Sequence, residues 1–136
     1  MMALLMADTG ASTLLAEGIA RISGPMFPLA SPFIGVIGSF MTGSNTNSNV
    51  MFGLLQLETA RALGIGTVTI ASIQSIGASL GSTLAPAKVL VATTLTGLTG
   101  REGEILRLVI PYVLGLVFLV GLQALLINLA IPSLAK

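Results

Sequence analysis

Uncharged apolar runs alternate with short polar interruptions along this chain. The clearest of these runs, residues 108–131, has 24 positions and no charge. With ~1.5 Å of rise per residue, a helix of this length would extend about 36 Å. Because the hydrocarbon core of a bilayer is roughly 30 Å thick, the run predicts a final transmembrane helix over 107–131. The charged residues at 101–107 predict a short aqueous loop before it.

A second uncharged run, residues 22–57, has a polar segment in its middle. Residues 42–49 are glycine or small polar residues, which favour turns over helix interiors. The arms on either side, 27–41 and 50–64, would each be about 22 Å long as helices, too short to cross a bilayer comfortably. Non-helical backbone at membrane depth is tolerated where protein or water covers it. The pattern therefore predicts a re-entrant helical hairpin over 27–64 with its tip at 42–49.

Glycine, serine and proline interrupt a third apolar stretch, residues 67–99. Proline disfavours helix at the residue before it and suits the first turn of a new helix. The stretch therefore predicts a discontinuous helix that breaks near 82–86 and restarts at Pro86. Another helix is predicted over 1–21, and its apolar beginning is typical of the tail of a helix that starts earlier.

The composition places these elements in a membrane. Hydrophobic residues make up 54% of the 136 positions and charged residues 8%, whereas soluble domains carry about 25% charged residues. The sequence therefore predicts an all-α membrane protein with transmembrane helices, a re-entrant hairpin and a discontinuous helix. A net charge of +1 without a basic run argues against nucleic acid as a partner. The chain has no cysteine and no histidine, so we expect no disulfide, no metal site and no cofactor.

Two motifs that occur in enzymes are better explained without catalysis. Residues 77–81 match the G-x-S-x-G pattern of hydrolases, but that pattern needs a preceding strand and a histidine base. We interpret Gly77 and Gly81 as a small-residue face for close helix packing. Ser82 and Lys88 stand six residues apart across the predicted break, and this spacing specifies a pairing only weakly. The sequence thus predicts no catalytic residue and no enzyme activity.

The polar tip and the lysine after the break are the candidate binding groups. Hydroxyls and amides at membrane depth need partners, and broken helices near the midplane are where transporters bind substrate. A lysine inside a membrane segment is costly and is by default a functional hypothesis. A solvated loop and a lysine that snorkels to the interface are the alternatives. The candidate substrate-binding residues are Thr42, Gly43, Ser44, Asn45, Thr46, Asn49, Pro86 and Lys88.

Four segments resemble the L-lactate permease family. They are GSFMTGSNTNSNVMFG at 38–53, QLETAR at 56–61, STLAPAKVLVAT at 82–93 and GLTGREG at 97–103. The likeness extends from about residue 15 to the C-terminus. The Ser44-Asn45-Thr46 tripeptide is also similar to the Ser-Asn-Thr signature of the wider ion transporter superfamily, where it lies at a hairpin tip beside a broken helix.

The resemblance implies a function and a set of partners. It implies uptake of lactate, and of related 2-hydroxy monocarboxylates such as glycolate, together with protons across the prokaryotic cytoplasmic membrane. It also implies a multi-pass chain that forms one half of an inverted-repeat transporter. Members of the family are several times longer, so the expected partners include the missing N-terminal repeat or further copies of this chain, as well as membrane lipid. The alternative is a small oligomeric membrane protein, a channel or scaffold, with no transport cycle of its own.

Overall fold

The fold, given by a computed structural model, is all helical within the residues it describes. The backbone is described for residues 11–130 and the side chains for 14–130. The helices are α1 (Ala11–Ser23), α2 (Phe27–Thr42), α3 (Asn45–Leu63), α4 (Thr67–Ser82), α5 (Pro86–Leu95) and α6 (Glu102–Ala130), with a 3-10 turn at Gly24–Met26. The first ten residues of the helix predicted over 1–21, and the end of the final helix at 131, lie outside the described residues.

The first arm of the hairpin continues directly from the helix before it. A 3-10 turn at Gly24–Met26 joins α1 to α2, and Leu14–Thr42 together forms a 29-residue stretch long and apolar enough to cross a membrane. The turn contains Pro25 and Gly24, whose φ of +51° favours glycine. The sequence did not predict this continuity, because the arm was considered from Phe27 alone. The depth of the hairpin tip within the membrane stays a prediction.

The second arm, α3, begins earlier than the sequence predicted. It starts at Asn45 and packs against both α1 and α2. Only Gly43 and Ser44 are non-helical between α2 and α3, so the predicted tip at 42–49 is too long. The reason is that Ser44 caps the helix and lets the following asparagine-rich segment form its first turn, a position that tolerates residues unsuited to helix interiors.

The third apolar stretch is discontinuous, as the predicted fold class stated. Helices α4 and α5 meet at an angle of 41° across Thr83–Ala85, and α5 ends at Leu95 rather than at residue 99. Backbone at Ala85 is extended, with ψ of 127°, as expected for a residue that precedes proline.

The final helix, α6, also begins before its predicted start. Its 29 residues run from Glu102, so residues 102–107, predicted as a loop, are helical. Glu102 and Glu104 occupy the first turn, where acidic side chains interact favourably with the helix dipole. As a result, Pro111 lies within the helix rather than in its first turns.

Glycines bring the backbones of α2 and α4 into contact along a seam. These two helices share the most extensive packing in the fold. A Cβ at Gly77 would collide with the backbone of Pro32, and one at Gly81 with that of Val36. The interpretation of Gly77 and Gly81 as a packing face is therefore confirmed.

Two apolar clusters lie along the fold. One is centred on Phe27, Ile70 and Ile73, and the other on Val36, Leu84 and Val117. Many large apolar side chains on the outside of the helices are exposed, as expected where lipid covers them.

Candidate functional site

The hairpin tip is a two-residue turn held by backbone and hydroxyl groups. Gly43 ends α2 with a φ of +71°, and its N–H donates to the carbonyl of Ser39 at 2.8 Å. Ser44 is extended, and its Oγ accepts from the N–H of Asn47 at 3.3 Å. The Thr42 hydroxyl lies 2.8 Å from the carbonyl of Gly38 and accepts from the Ser44 N–H at 3.3 Å. Gly43 is needed here because other residues rarely adopt this φ.

A hydrogen bond from Lys88 to Ser82 bridges the break between α4 and α5. Lys88, in the first turn of α5, donates from Nζ to the Oγ of Ser82 at 3.1 Å. The Ser82 hydroxyl itself donates to the carbonyl of Ser79 at 2.9 Å. The six-residue spacing specified this pairing only weakly, and the structure forms it as a hydrogen bond across the 41° bend between α4 and α5.

The hairpin tip lies beside the helix break. A side chain on Gly43 would place its Cβ 3.9 Å from the Cβ of Ala85. An open recess of about 400 Å³ lies between the two elements. Its walls are formed by Phe40, Met41, Thr42, Gly43, Ala85, Pro86 and Ala87. Two helix N-termini, those of α3 and α5, thus begin within the same region.

Three of the eight candidate residues line this recess and five do not. Thr42, Gly43 and Pro86 form part of its walls. Ser44, Asn45, Thr46 and Asn49 lie at the start of α3, and Thr46 is exposed there. Within 11–130, no hydrogen bond or ion pair joins Lys88 to the tip, because its ammonium group bonds to Ser82 instead.

A chain of buried polar side chains connects α2, α3 and α4 beneath the tip. Ser31 Oγ donates to Gln56 Oε1, and Gln56 Nε2 donates to the Ser31 carbonyl at 2.9 Å and to Gln74 Oε1. Gln74 Nε2 lies 3.4 Å from the Oγ of Ser48, which donates to the Gly35 carbonyl at 3.0 Å. Ser31, Ser48, Gln56 and Gln74 are each at most 2% exposed.

This network of hydrogen-bonded side chains ends on two of the candidate residues. Gln74 Nε2 lies 3.4 Å from Asn49 Oδ1, and Asn49 Nδ2 donates to Asn45 Oδ1 at 3.0 Å. Asn49 also donates to Ser75 Oγ at 3.2 Å. Asn49 therefore supports the tip, and Asn45 is the partly exposed residue at which this hydrogen-bonded network ends.

The sequence analysis missed Ser31, Ser48, Gln56 and Gln74. A signal was present: Gln56 and Gln74 are long amides within otherwise apolar helices, and amides in such positions hydrogen-bond to neighbouring helices. Neither glutamine is ionisable, so the charge pattern of the sequence does not reveal them.

The described part of the chain offers no cluster of acidic side chains that could hold a metal ion. Its two ion pairs, Glu58–Arg61 and Arg101–Glu104, are local i,i+3 pairs with well-exposed arginines. Near the tip and the break, the described residues offer hydroxyls, amides, two helix N-termini and the Lys88 ammonium group, which are suited to an anion or a polar neutral molecule.

Comparison with known proteins gives one family. The sequence profile described as L-lactate permease matches residues 1–131. Glycolate permease GlcA of Escherichia coli (strain K12) is 37% identical over 118 residues, which cover 87% of this chain and 21% of that protein. L-lactate permease of Bacillus subtilis (strain 168) is 37% identical over 113 residues, covering 83% of this chain and 20% of the relative.

A further relative extends the match at lower identity. L-lactate permease of Escherichia coli (strain K12) is 32% identical over 128 residues, or 91% of this chain and 23% of that protein. The chain thus spans between a fifth and a quarter of the length of the curated relatives it matches. No solved structure matches the chain significantly.

Proposed function

Starting from the fact that this chain belongs to the L-lactate permease family, we propose that it serves in secondary active transport of lactate across the cell membrane. The relatives are named for L-lactate and for glycolate, so the proposed substrates are lactate and related 2-hydroxy monocarboxylates. The proposed coupling ion is the proton, which the resemblance implies. Because the relatives are much longer, we propose that the chain works as part of a larger permease.

The observation that supports a binding site here is the contact between the hairpin tip and the helix break. The start of α3 at Asn45 and the start of α5 at Pro86 lie on either side of the contact between Gly43 and Ala85. A helix N-terminus presents unpaired N–H groups and a partial positive charge. Two of them near one recess favour a carboxylate, which is the charged group of every 2-hydroxy acid.

The side chains divide into ligand contacts and supports. Ser44 accepts one hydrogen bond within the tip and keeps its own proton to donate, and Thr46 is exposed. Asn45 has a carboxamide N–H₂ without a partner among the described residues. We propose that these three side chains bind the carboxylate and the 2-hydroxyl. Thr42, Gly43 and Asn49 are already engaged in shaping the tip, and Pro86 fixes the start of α5.

Lys88 supplies the full positive charge in this proposal. Its ammonium group has three donors, and Ser82 uses one of them. Lys88 is not part of the recess wall, and in the proposal its remaining donors turn to a substrate carboxylate bound between the tip and the break. Ser82 then acts as a tether that holds the ammonium group near the break when no substrate is bound.

The decisive experiment measures initial lactate uptake against lactate concentration in the complete permease, normalised to inserted protein. A hydrogen bond to a charged group contributes about 1.5–3 kcal/mol, so Lys88→Ala should raise the half-saturation concentration about 10- to 100-fold. Ser44→Ala and Thr46→Ala should each raise it less, because neutral hydrogen bonds are weaker. Arg61→Ala serves as the control, since Arg61 is exposed and pairs with Glu58 on the same helix. An unchanged value for Lys88→Ala would remove the lysine from the site.

A second experiment separates the permease from the alternative of a small self-sufficient membrane protein. The 136-residue chain, purified and reconstituted in vesicles, should give no saturable lactate uptake, because one repeat leaves a two-repeat substrate cavity open on one side. Uptake should appear when the remainder of the permease is co-reconstituted. Saturable uptake by the chain alone would instead support an assembly of its own copies.

A further inference from the structure

The hydrogen bonds between side chains in the buried network beneath the tip run in one direction, from Ser31 through Gln56 and Gln74 toward the tip. A carboxamide has a donor end and an acceptor end, so its orientation is fixed by whichever partner cannot change role. Two such partners are present, the backbone carbonyls of Ser31 and Gly35, which can only accept. Gln56 Nε2 donates to the first at 2.9 Å and Ser48 Oγ donates to the second at 3.0 Å.

These two fixed points orient Gln74. Because the Gln56 N–H₂ end faces the Ser31 carbonyl, it also faces Gln74 and meets the Oε1 of that residue. The N–H₂ end of Gln74 is then left to face Ser48 Oγ and Asn49 Oδ1, each at 3.4 Å. Ser48 can accept there, since its own proton is given to Gly35.

Asn49 and Asn45 continue the same order of donors and acceptors to the surface. Asn49 accepts on Oδ1 and therefore donates from Nδ2, to Asn45 Oδ1 at 3.0 Å and to Ser75 Oγ at 3.2 Å. The oxygen of the Asn45 carboxamide is thus occupied. Its Nδ2 has no hydrogen-bond partner among residues 14–130, and the residue is partly exposed.

We propose that Gln56, Gln74 and Asn49 are positioning residues that turn the donor end of the Asn45 carboxamide toward the ligand. This inference rests on the function proposed above. It assigns the polarity of the tip, where the N–H₂ group of Asn45 has no partner among residues 14–130 and its carbonyl oxygen already accepts a hydrogen bond from Asn49. An acceptor such as the substrate carboxylate fits that arrangement, whereas a cation would need the oxygen.

Hydrogen bonding between helices is one role of these amides, but it does not account for where the network ends. The network reaches Asn45, a partly exposed candidate residue, rather than closing within the core. Gln123 on α6, a glutamine exposed outside this network, provides a matched comparison.

The test is a double-mutant cycle on lactate uptake by the complete permease. Asn45→Ala should raise the half-saturation concentration about 3- to 10-fold, the loss of one neutral hydrogen bond. Gln74→Met should raise it by a similar or smaller factor, with the maximal rate per inserted protein kept within about twofold. In the Asn45→Ala background, Gln74→Met should have no further effect. Gln123→Met should change neither quantity in either background.

The outcomes distinguish a positioning role of these residues from a purely structural one. Effects of Asn45→Ala and Gln74→Met that multiply, or a loss confined to the maximal rate, would overturn the inference while leaving the proposed function intact. Unchanged half-saturation for both Asn45→Ala and Lys88→Ala would count against the proposed site itself. Should Gln74→Met fail to insert, Asn49→Ala removes the last link of the chain at a half-buried position, and the same cycle then decides.

Discussion

Among the described residues, two stretches are long and apolar enough to cross a membrane without a sharp bend, Leu14–Thr42 and Glu102–Ala130, and they have equal lengths of 29 residues but different surroundings. In the first, 44% of the apolar segment is buried within the chain, and in the second 17%. The first stretch carries buried serines and backbone contacts to α4, whereas α6 buries only a strip of Val113, Val117, Gly121 and Ala124. Length and apolarity make both candidate spans, but polar residues and glycines distinguish the one that carries the proposed site.

The difference has a physical basis in what each surface contacts. Between helices in lipid, apolar side chains gain little from each other, so close backbone approach and hydrogen bonds hold helices together. Gly35 brings the backbones of α2 and α4 together, and the Gln56–Gln74 pair joins α3 to α4 by a hydrogen bond. A surface such as that of α6, which exposes Leu116, Phe118 and Leu119, is suited to lipid or to another transmembrane element.

The largest expected effect comes from adding one methyl group to the seam. Gly35→Ala would bring its Cβ against the backbone of Gln74 and Ala78, and neither can move without separating α2 from α4. We expect a loss of about 3 kcal/mol, or roughly 10 °C in Tm. The measurement is thermal unfolding of the purified chain in detergent.

The matched control is the same substitution on α6. Gly115 has no atom within 4 Å of the position of a Cβ. Gly115→Ala should therefore be neutral or raise stability by up to about 1 kcal/mol through helix propensity. Equal destabilisation by the two substitutions would contradict the contrast between the stretches.

The second expected effect concerns the buried amides. Gln56→Leu keeps the volume but leaves the Ser31 hydroxyl and Gln74 Oε1 without their partner. We expect a loss of about 2 kcal/mol, or roughly 6 °C in Tm, because unsatisfied buried groups are costly. Gln123→Leu, on the exposed part of α6, should leave Tm unchanged or raise it. A neutral Gln56→Leu would show that the amide pair is not a source of stability.

Local sequence signals were enough to predict where several of these helices stop and start. Gly43 and Ser44 stop one helix and start the next, and Pro86 starts another, because backbone preferences act within a few residues. The same local chemistry explains the errors. The Asn45–Asn49 segment is helical because a serine cap precedes it, and α6 begins at Glu102 because acidic residues suit a first turn.

Long-range pairing could not be predicted in the same way. Ser31 meets Gln56 and Gln56 meets Gln74 across separations of 25 and 18 residues, and these contacts depend on how three helices pack. The Ser82–Lys88 bond is closer in sequence but depends on the angle of the break. The polar candidates at the tip were found from composition, while the residues that orient them required the packed structure.

A third prediction tests how α6, the less buried stretch, is joined to the helix that follows the break. Thr93 on α5 is fully buried, and its hydroxyl lies 2.9 Å from Glu102 Oε1 at the start of α6. Thr93→Val removes this bond without changing volume and should lower Tm by about 3 °C. Thr94→Val is the control, since the exposed Thr94 hydroxyl bonds only within its own helix, to Leu90. Equal shifts for both variants would mean that the junction does not depend on the Thr93 contact.

The smallest expected effect is at the two exposed ion pairs of the described residues, one on α3 and one at the start of α6. Arg61 Nη1 lies 2.8 Å from Glu58 on α3 and Arg101 Nη2 lies 2.6 Å from Glu104 on α6, and both arginine side chains are 59% exposed. Solvent and salt weaken such pairs, so Arg61→Ala and Arg101→Ala should each lower Tm by less than about 2 °C. The shift should shrink further when the ionic strength is raised. Thermal unfolding at low and high salt measures this, and a large, salt-insensitive loss for Arg61→Ala alone would instead indicate that the base of the hairpin contributes to stability in a way that α6 does not.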